Sequence, residues 1–181
     1  MARRTILWPL LALPGTYIVL ARAFDHWSYG ETIHQTGLWS VGLLCAALLA
    51  TPLKRLFPRN KTTLFLLRQR RAIGVASFGY AAMHTAYYLH KKWPAGLVTE
   101  EGQDPSLLTG WIAFTLFITL AATSNNYSVR KLGRRWKTLH RLVYIAAALT
   151  FAHWVLAIFD PTTAIIVGVI ICLAELARMR R

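Results

Sequence analysis

The chain has 181 residues, of which 55% are hydrophobic and only 15% are charged, and its mean hydropathy is +0.39. A soluble domain of this size carries about 25% charged residues, so the composition favours a membrane protein. The formal net charge of +14 could indicate nucleic-acid binding, but the basic residues fall in short clusters between long apolar runs. That pattern fits a membrane topology better than a continuous phosphate-binding face.

Six apolar segments are long enough to cross a bilayer, because a transmembrane helix needs roughly 20 residues and about 17 are tolerated. They are residues 5–23, 37–53, 72–90, 107–123, 139–158 and 162–178. Pro9 and Pro14 interrupt the first segment, which membrane helices tolerate where a neighbour satisfies the freed backbone groups. The sequence therefore predicts an all-α fold in which residues 1–181 form one bundle of six transmembrane helices.

The lysines and arginines predict how these helices are oriented. With six spans, all but three of the 21 basic residues fall on one side of the membrane: Arg3, Arg4, the basic residues from Lys54 to Arg71, those from Arg130 to Arg141, Arg178, Arg180 and Arg181. The other side carries Arg22, Lys91 and Lys92 together with every acidic residue except Glu175. The positive-inside rule therefore predicts that both termini are cytoplasmic.

Four histidines lie in the apolar segments, His84 and His90 in the third and His140 and His153 in the fifth, and His90 is interpreted as interfacial because it ends its segment beside Lys91 and Lys92. An imidazole is costly in hydrocarbon, so the other three rings indicate a functional site. At 1.5 Å per residue, His84 lies about 21 Å beyond Arg70, and His153 lies about 20 Å beyond His140. His84 and His153 are thus predicted at similar depth toward the outer leaflet, where they could supply both axial ligands of a b-type haem.

His140 is harder to place in the same site. Thirteen residues at 100° each put His140 and His153 about 140° apart on an ideal helix, so both face one seam only if the helix is kinked or bulged. Either histidine of the outer pair could instead hydrogen-bond a neighbouring helix, and His140 could be solvated beside Arg141. Arg70 is open to three interpretations: a topology signal, a partner of haem propionates, or a residue standing where an inner ligand would be.

A series of motifs in chain order carries a family resemblance. They are Thr51-Pro52-Leu53, Arg70-Arg71 with Gly74, His84, Thr123-Ser124, Arg130-Lys131-Leu132-Gly133 with Trp136, Leu139-His140 with Val143-Tyr144, and His153. Together they resemble the MsrQ (formerly YedZ) family, the haem-binding membrane subunits of the bacterial periplasmic methionine sulfoxide reductase system. The resemblance covers nearly the whole chain, and the wider superfamily is the ferric-reductase-like transmembrane domain.

The resemblance implies an electron-transfer subunit of the bacterial inner membrane rather than a catalytic subunit. Its members pass electrons to a periplasmic molybdopterin subunit, and the donor is taken to be the quinone pool or a cytosolic flavin reductase. The implied cofactors are haem b, in one or two copies, and FMN. By position, His84 and His153 match the outer axial ligands and His140 matches a third haem-associated histidine, while Arg70 and Arg71 are expected to be cofactor-binding. The expected partners are membrane lipid, the periplasmic molybdopterin subunit and the electron donor. No nucleic-acid partner is expected.

One residue departs from the pattern of the superfamily's oxidases. Arg70 stands 14 residues before His84, where those oxidases carry another histidine, so an inner haem held by two histidines is not expected. The chain also lacks a C-terminal FAD/NADPH domain, so reductant is expected from another protein or from quinol.

Two further functions remain open at this point. One is a stand-alone ferric or quinone-linked reductase that uses the same haem. The other is a haem-free transporter or assembly factor, although the spans lack the charged midplane residues and paired Gly/Pro breaks of a substrate site.

Overall fold

The computed structural model describes residues 2–157 and 160–179, with side chains for 7–157 and 160–177. Residue 158, predicted to end the fifth span, lies outside the described residues, as do Arg180, Arg181 and the side chains of Arg3, Arg4 and Arg178. The described chain is helical and contains no strand, so the all-α prediction is confirmed. Its helices are α1 (Ala2–Ala23), α2 (Tyr29–Leu56), α3 (Lys61–Lys92), α4 (Leu97–Glu100), α5 (Pro105–Ala122), α6 (Asn126–Leu132), α7 (Arg134–His140), α8 (Leu142–Ala157) and α9 (Thr162–Met179), and a 3-10 turn spans Glu101–Gln103.

Helices α2 and α3 begin well before the predicted apolar segments, because polar caps set their N-termini. The Ser28 side chain accepts the N–H of Glu31, and the Glu31 carboxylate accepts the N–H of Ser28 at 2.7 Å, which forms a capping box. The Asn60 side chain accepts the N–H of Thr62 at 2.7 Å and so caps α3, without the reciprocal bond of a capping box. Hydropathy locates the buried part of such helices but not their polar ends.

The predicted fifth segment is divided into two helices, α7 and α8. Between them, the N–H of Arg141 donates to the carbonyl of Thr138, and the N–H of Tyr144 donates to the carbonyl of Arg141. These three-residue spacings are typical of a tightened 3-10 turn. His140 therefore ends one helix and His153 lies in the next, so the ideal-helix angle between them does not apply.

Several faces of the bundle are suited to lipid. Three stretches of the described chain are long and apolar enough to cross a membrane, namely Tyr29–Leu56, Pro105–Ala122 and Arg134–Ala157, and shorter apolar stretches cover Leu7–Ala23 and Thr162–Ala177. Large apolar side chains point outward from these helices, as at Leu13 and Leu173, which are both 60% exposed. Water would disfavour such extended apolar faces, so the chain is a membrane protein.

The bundle is built from two antiparallel helix pairs. Helix α2 packs along α3, and α5 packs along α8; α1 lies against the first pair, and α9 contacts α2 and α8. Ser40 and Ser77 each donate a hydroxyl to the other's carbonyl, at 3.0 and 2.8 Å, where α2 and α3 approach closely. Between the pairs lies an apolar core of Leu44, Leu48, Phe117, Leu120, Ala146, Ala147 and Ile171.

The hydroxyl of Tyr80 joins α1 to α3 at a proline in α1. It accepts the N–H of Gly15 and donates to the carbonyl of Leu11, both at 2.8 Å. These two backbone groups are hydrogen-bond partners in an ideal helix, and Pro14 lies between them. Tyr80 is 4% exposed, so the backbone groups beside the proline are satisfied by a neighbouring helix and not by water.

We expect Tyr80→Phe to destabilise the protein, because it leaves a buried N–H and a buried carbonyl without their shared partner. The cost should be about 1–3 kcal/mol, measured as a lower midpoint of thermal unfolding in detergent. Tyr87→Phe is the control on the same helix, since no described hydrogen bond involves the Tyr87 hydroxyl. Equal melting temperatures for the two variants would contradict the prediction.

Candidate functional site

His84 of α3 and His153 of α8 face a common cavity of about 460 Å³ between the two helix pairs. Their ring centroids are 6.2 Å apart, and the ring planes are nearly perpendicular at 86°. A bond from an imidazole nitrogen to a metal ion is about 2 Å long, so two imidazoles on opposite sides of one ion have centroids roughly 6 Å apart. The observed separation therefore suits two ligands of a single metal.

The Nδ1 atom of each ring is bound to a backbone carbonyl. His84 Nδ1 lies 2.8 Å from the carbonyl oxygen of Ile33, and His153 Nδ1 lies 2.7 Å from that of Ser106. Because a carbonyl only accepts, both Nδ1 atoms must carry the proton. This tautomer leaves the Nε2 lone pairs for a metal, and such a hydrogen bond is what usually fixes a metal-binding histidine.

Each histidine also rests against a glycine four residues after its carbonyl partner. A Cβ atom at Gly110 would lie 2.8 Å from Nδ1 of His153, and a Cβ atom at Gly37 would lie 3.3 Å from Nδ1 of His84. The two helices thus present the same arrangement, a carbonyl at one position and a glycine one turn later. Spacing alone did not reveal this role, since glycines are frequent in membrane helices for other reasons.

The rest of the cavity is mainly apolar and aromatic. Its walls include Val41, Leu107, Trp111, Phe114, Phe117 and Trp154. Near the ends of α3 and α5, Tyr88 meets Trp111 edge to face with centroids 6.2 Å apart, and the Tyr88 hydroxyl donates to Glu101 at 3.3 Å. An apolar cavity with two convergent imidazoles fits a large apolar macrocycle with a central metal, which is the haem predicted from the sequence.

His140 lies at the opposite end of the bundle in different surroundings. Trp136 stacks on its ring with centroids 3.9 Å apart, and the hydroxyl of Thr123 lies 3.1 Å from its Nε2 atom. The indole N–H of Trp136 donates to the carbonyl of Thr123 at 2.9 Å. At His140 the nitrogen with a protein partner is therefore Nε2, the reverse of His84 and His153.

The two arginines predicted to bind a cofactor occupy unequal positions. The Arg71 guanidinium lies 5.6 Å from the centre of the Trp136 ring and donates to the side chain of Asn126 at 2.9 Å. Arg70 is exposed and donates to the hydroxyl of Thr51 at 3.3 Å. Arg71, rather than Arg70, is the arginine that contacts the stacked pair of Trp136 and His140.

The family model for the ferric reductase like transmembrane component matches residues 36–151. The chain belongs to this family. Relatives from Brucella ovis, Brucella canis and Brucella suis are 39% identical over 152 residues, which covers 82% of this chain and 67% of each relative. Each is named protein-methionine-sulfoxide reductase heme-binding subunit MsrQ. The predicted membership of the MsrQ family is thereby confirmed.

Gly110→Ala should weaken haem binding, because the new methyl group would push His153 away from the Ser106 carbonyl. Overpacking of this kind costs typically 1–3 kcal/mol, so affinity should fall by about tenfold. The measurement is haem titration of the purified protein by absorption spectroscopy.

Gly79→Ala is the matched control, since a Cβ atom there would meet nothing within 4 Å. The steric account of Gly110 fails if both alanine variants bind haem as tightly as the parent chain.

Proposed function

We propose that this chain is a haem-binding membrane subunit that passes electrons across the bacterial inner membrane to a periplasmic molybdopterin methionine sulfoxide reductase. The observation that carries the proposal is the histidine pair: His84 and His153 hold their rings 6.2 Å apart with both Nδ1 atoms bound to carbonyls. The relatives' name as haem-binding subunits of a methionine sulfoxide reductase supports it independently.

His84 and His153 would hold one b-type haem through their free Nε2 atoms. The bound haem would supply one-electron redox chemistry, while the protein sets its potential through ligands, burial and nearby charge. The chain's own task is to hold the two imidazoles in one tautomer and to keep water out with the aromatic lining. It makes and breaks no bonds of the final substrate, which makes it the electron-transfer subunit of a larger system.

Other cofactors implied by the resemblance would bind at the opposite end. A second haem would use His140, with the positive charges of Arg70 and Arg71 available for its propionates. FMN would place its phosphate among the basic residues of α6 and α7, where Arg130, Lys131, Arg134, Arg135 and Lys137 are exposed. Charge attraction supports this location, although α6 and α7 provide no glycine-rich phosphate loop.

The topology that suits this function has six spans with both termini in the cytoplasm. In that arrangement, the His84–His153 site lies toward the periplasm, and the basic end with His140 faces the cytoplasm. Helix α3 would be one of the six spans. Its ends are charged, but it packs against α1, α2 and α5 within the bundle. Electrons would enter at the basic end from quinol or from a cytosolic flavin reductase.

The periplasmic partner would dock near the loop between α3 and α5. Within this loop, Glu101 pairs with Lys92 at 2.5 Å and accepts from Tyr88, so its charge is used internally. The hydrogen bond that Lys92 donates to Glu101 also raises the pKa of Lys92, so the lysine stays charged in this pair. Glu100 and Asp104 are exposed, so both can face a basic surface on the partner, and Asp104 also caps the start of α5.

His84→Ala and His153→Ala should each remove the b-type haem spectrum of the dithionite-reduced protein, because each substitution removes one of the two imidazoles that would hold the haem. We expect at least about a tenfold fall in haem per chain after purification, as for loss of a metal ligand with its supporting shell. His90→Ala is the control on the same helix, at an exposed position outside the cavity. A haem band unchanged by either cavity substitution would refute the assignment, and a parent protein without haem would favour a transporter or assembly factor.

The electron acceptor is tested by reconstitution in vesicles with quinol as the donor. We expect the haem to become oxidised when the periplasmic methionine sulfoxide reductase and its substrate are added, because the partner consumes the electrons. Ferric chelates without the partner should produce much slower oxidation. Fast oxidation by ferric chelates, with no response to the reductase, would favour the stand-alone ferric or quinone-linked reductase.

A further inference from the structure

A carboxylate at the start of α5 is linked to His153 through the backbone of a single residue, Ser106. Asp104 Oδ1 accepts the N–H of Ser106 at 2.7 Å, and the carbonyl of Ser106 accepts the Nδ1–H of His153 at 2.7 Å. The sequence-based assignment gave Asp104 no part in the histidine site, since the two residues are far apart in the chain.

We propose that Asp104 is a positioning residue for His153. It fixes the first turn of α5 so that the Ser106 carbonyl meets the imidazole, and its negative charge lowers the midpoint potential of the haem bound there. The inference rests on the proposed function, because it concerns the same histidine pair.

The positioning part follows from the geometry of the helix start. Asp104 has an extended backbone (φ −63°, ψ 126°), and Pro105 follows at the first helical position, a combination that favours helix initiation. The Thr109 hydroxyl also donates to the Ser106 carbonyl, at 2.8 Å. The capped turn therefore holds this carbonyl in place from both sides, and Gly110 leaves room for the ring to reach it.

The charge part follows from the position of the carboxylate. Its hydrogen bonds with Ser106 lower the pKa of Asp104, so the group is ionised at neutral pH. A negative charge near a redox centre disfavours the gain of an electron. Because Asp104 is exposed, this interaction must weaken as salt screens it.

His84 does not have the same link. The acid that precedes its carbonyl partner, Glu31, directs its carboxylate to the N–H of Ser28 at 2.7 Å. Asp104 accepts the N–H of Ser106, the residue whose carbonyl binds His153. Glu31 accepts the N–H of Ser28, which is not the carbonyl partner of His84. The two imidazoles are therefore unequal in their electrostatic surroundings, although their carbonyl and glycine contacts are alike.

The test separates charge from capping with two substitutions. Asp104→Asn keeps a good N-cap and removes the charge, whereas Asp104→Ala removes both. Asp160→Asn is the matched control, because Asp160 caps α9 in a similar Asp-Pro-Thr sequence and accepts the N–H of Thr162 at 3.0 Å. The readouts are haem content and the midpoint potential from a spectroscopic redox titration at low and high ionic strength.

Asp104→Asn should retain haem and shift the potential upward. At a fixed applied potential the ferrous-to-ferric ratio should rise by about twofold at low salt, as for loss of one unit charge about 10 Å away in water. The difference should shrink at high salt, and Asp160→Asn should match the parent chain. Asp104→Ala should show the same upward shift and also lose part of its haem.

An Asp104→Asn potential equal to that of Asp160→Asn would overturn the inference, as would a shift that is independent of salt. These results are distinct from failure of the proposed function, which would appear as a parent protein that binds no haem at all.

Discussion

Access to a helix carbonyl is the constraint on which the histidine site depends. Within a helix, each carbonyl already accepts the N–H of the residue four positions later, so a second donor must approach from the side. For a donor as bulky as the imidazole of His84 or His153, a side chain at that later position would crowd the ring. At Ile33 and Ser106 the later position is Gly37 or Gly110, and an imidazole reaches the free lone pair of the carbonyl. In this bundle, each of the two imidazoles therefore reaches its carbonyl beside a glycine on the neighbouring helix.

The two helix pairs each contain one complete histidine unit. In the first pair α3 carries the imidazole and α2 its carbonyl, and in the second pair α8 carries the imidazole and α5 its carbonyl. Packing within each pair fixes the tautomer and direction of its own ring. Packing between the pairs then sets the distance between the two rings across the cavity. Each helix pair thus contributes one oriented imidazole to the site.

The opposite end of the bundle, around His140, contains polar and charged groups instead of an apolar cavity. The apolar core separates it from the cavity, and its polar groups meet around the stacked rings of His140 and Trp136. Arg71 covers the indole, and the hydroxyl of Thr123 occupies the imidazole's Nε2 side. This end is basic and close to charged helix termini, whereas the cavity is apolar. The two ends of the bundle thus differ in charge and in the bonding of their histidines.

The sequence by itself determined the helical class, the membrane environment, the family and the similar depth of His84 and His153. The family follows from a series of motifs in chain order, whereas the other properties depend on composition, hydropathy and a fixed rise per residue, which are local quantities. Only the tertiary structure decided which imidazole nitrogen is bonded, which glycines support the rings, and that Arg71 rather than Arg70 contacts the Trp136–His140 stack. It also divided the fifth segment next to His140. The physical reason is that the bonding of these groups depends on contacts between residues roughly fifty positions apart, such as Ser106 and His153, and local patterns do not encode such contacts.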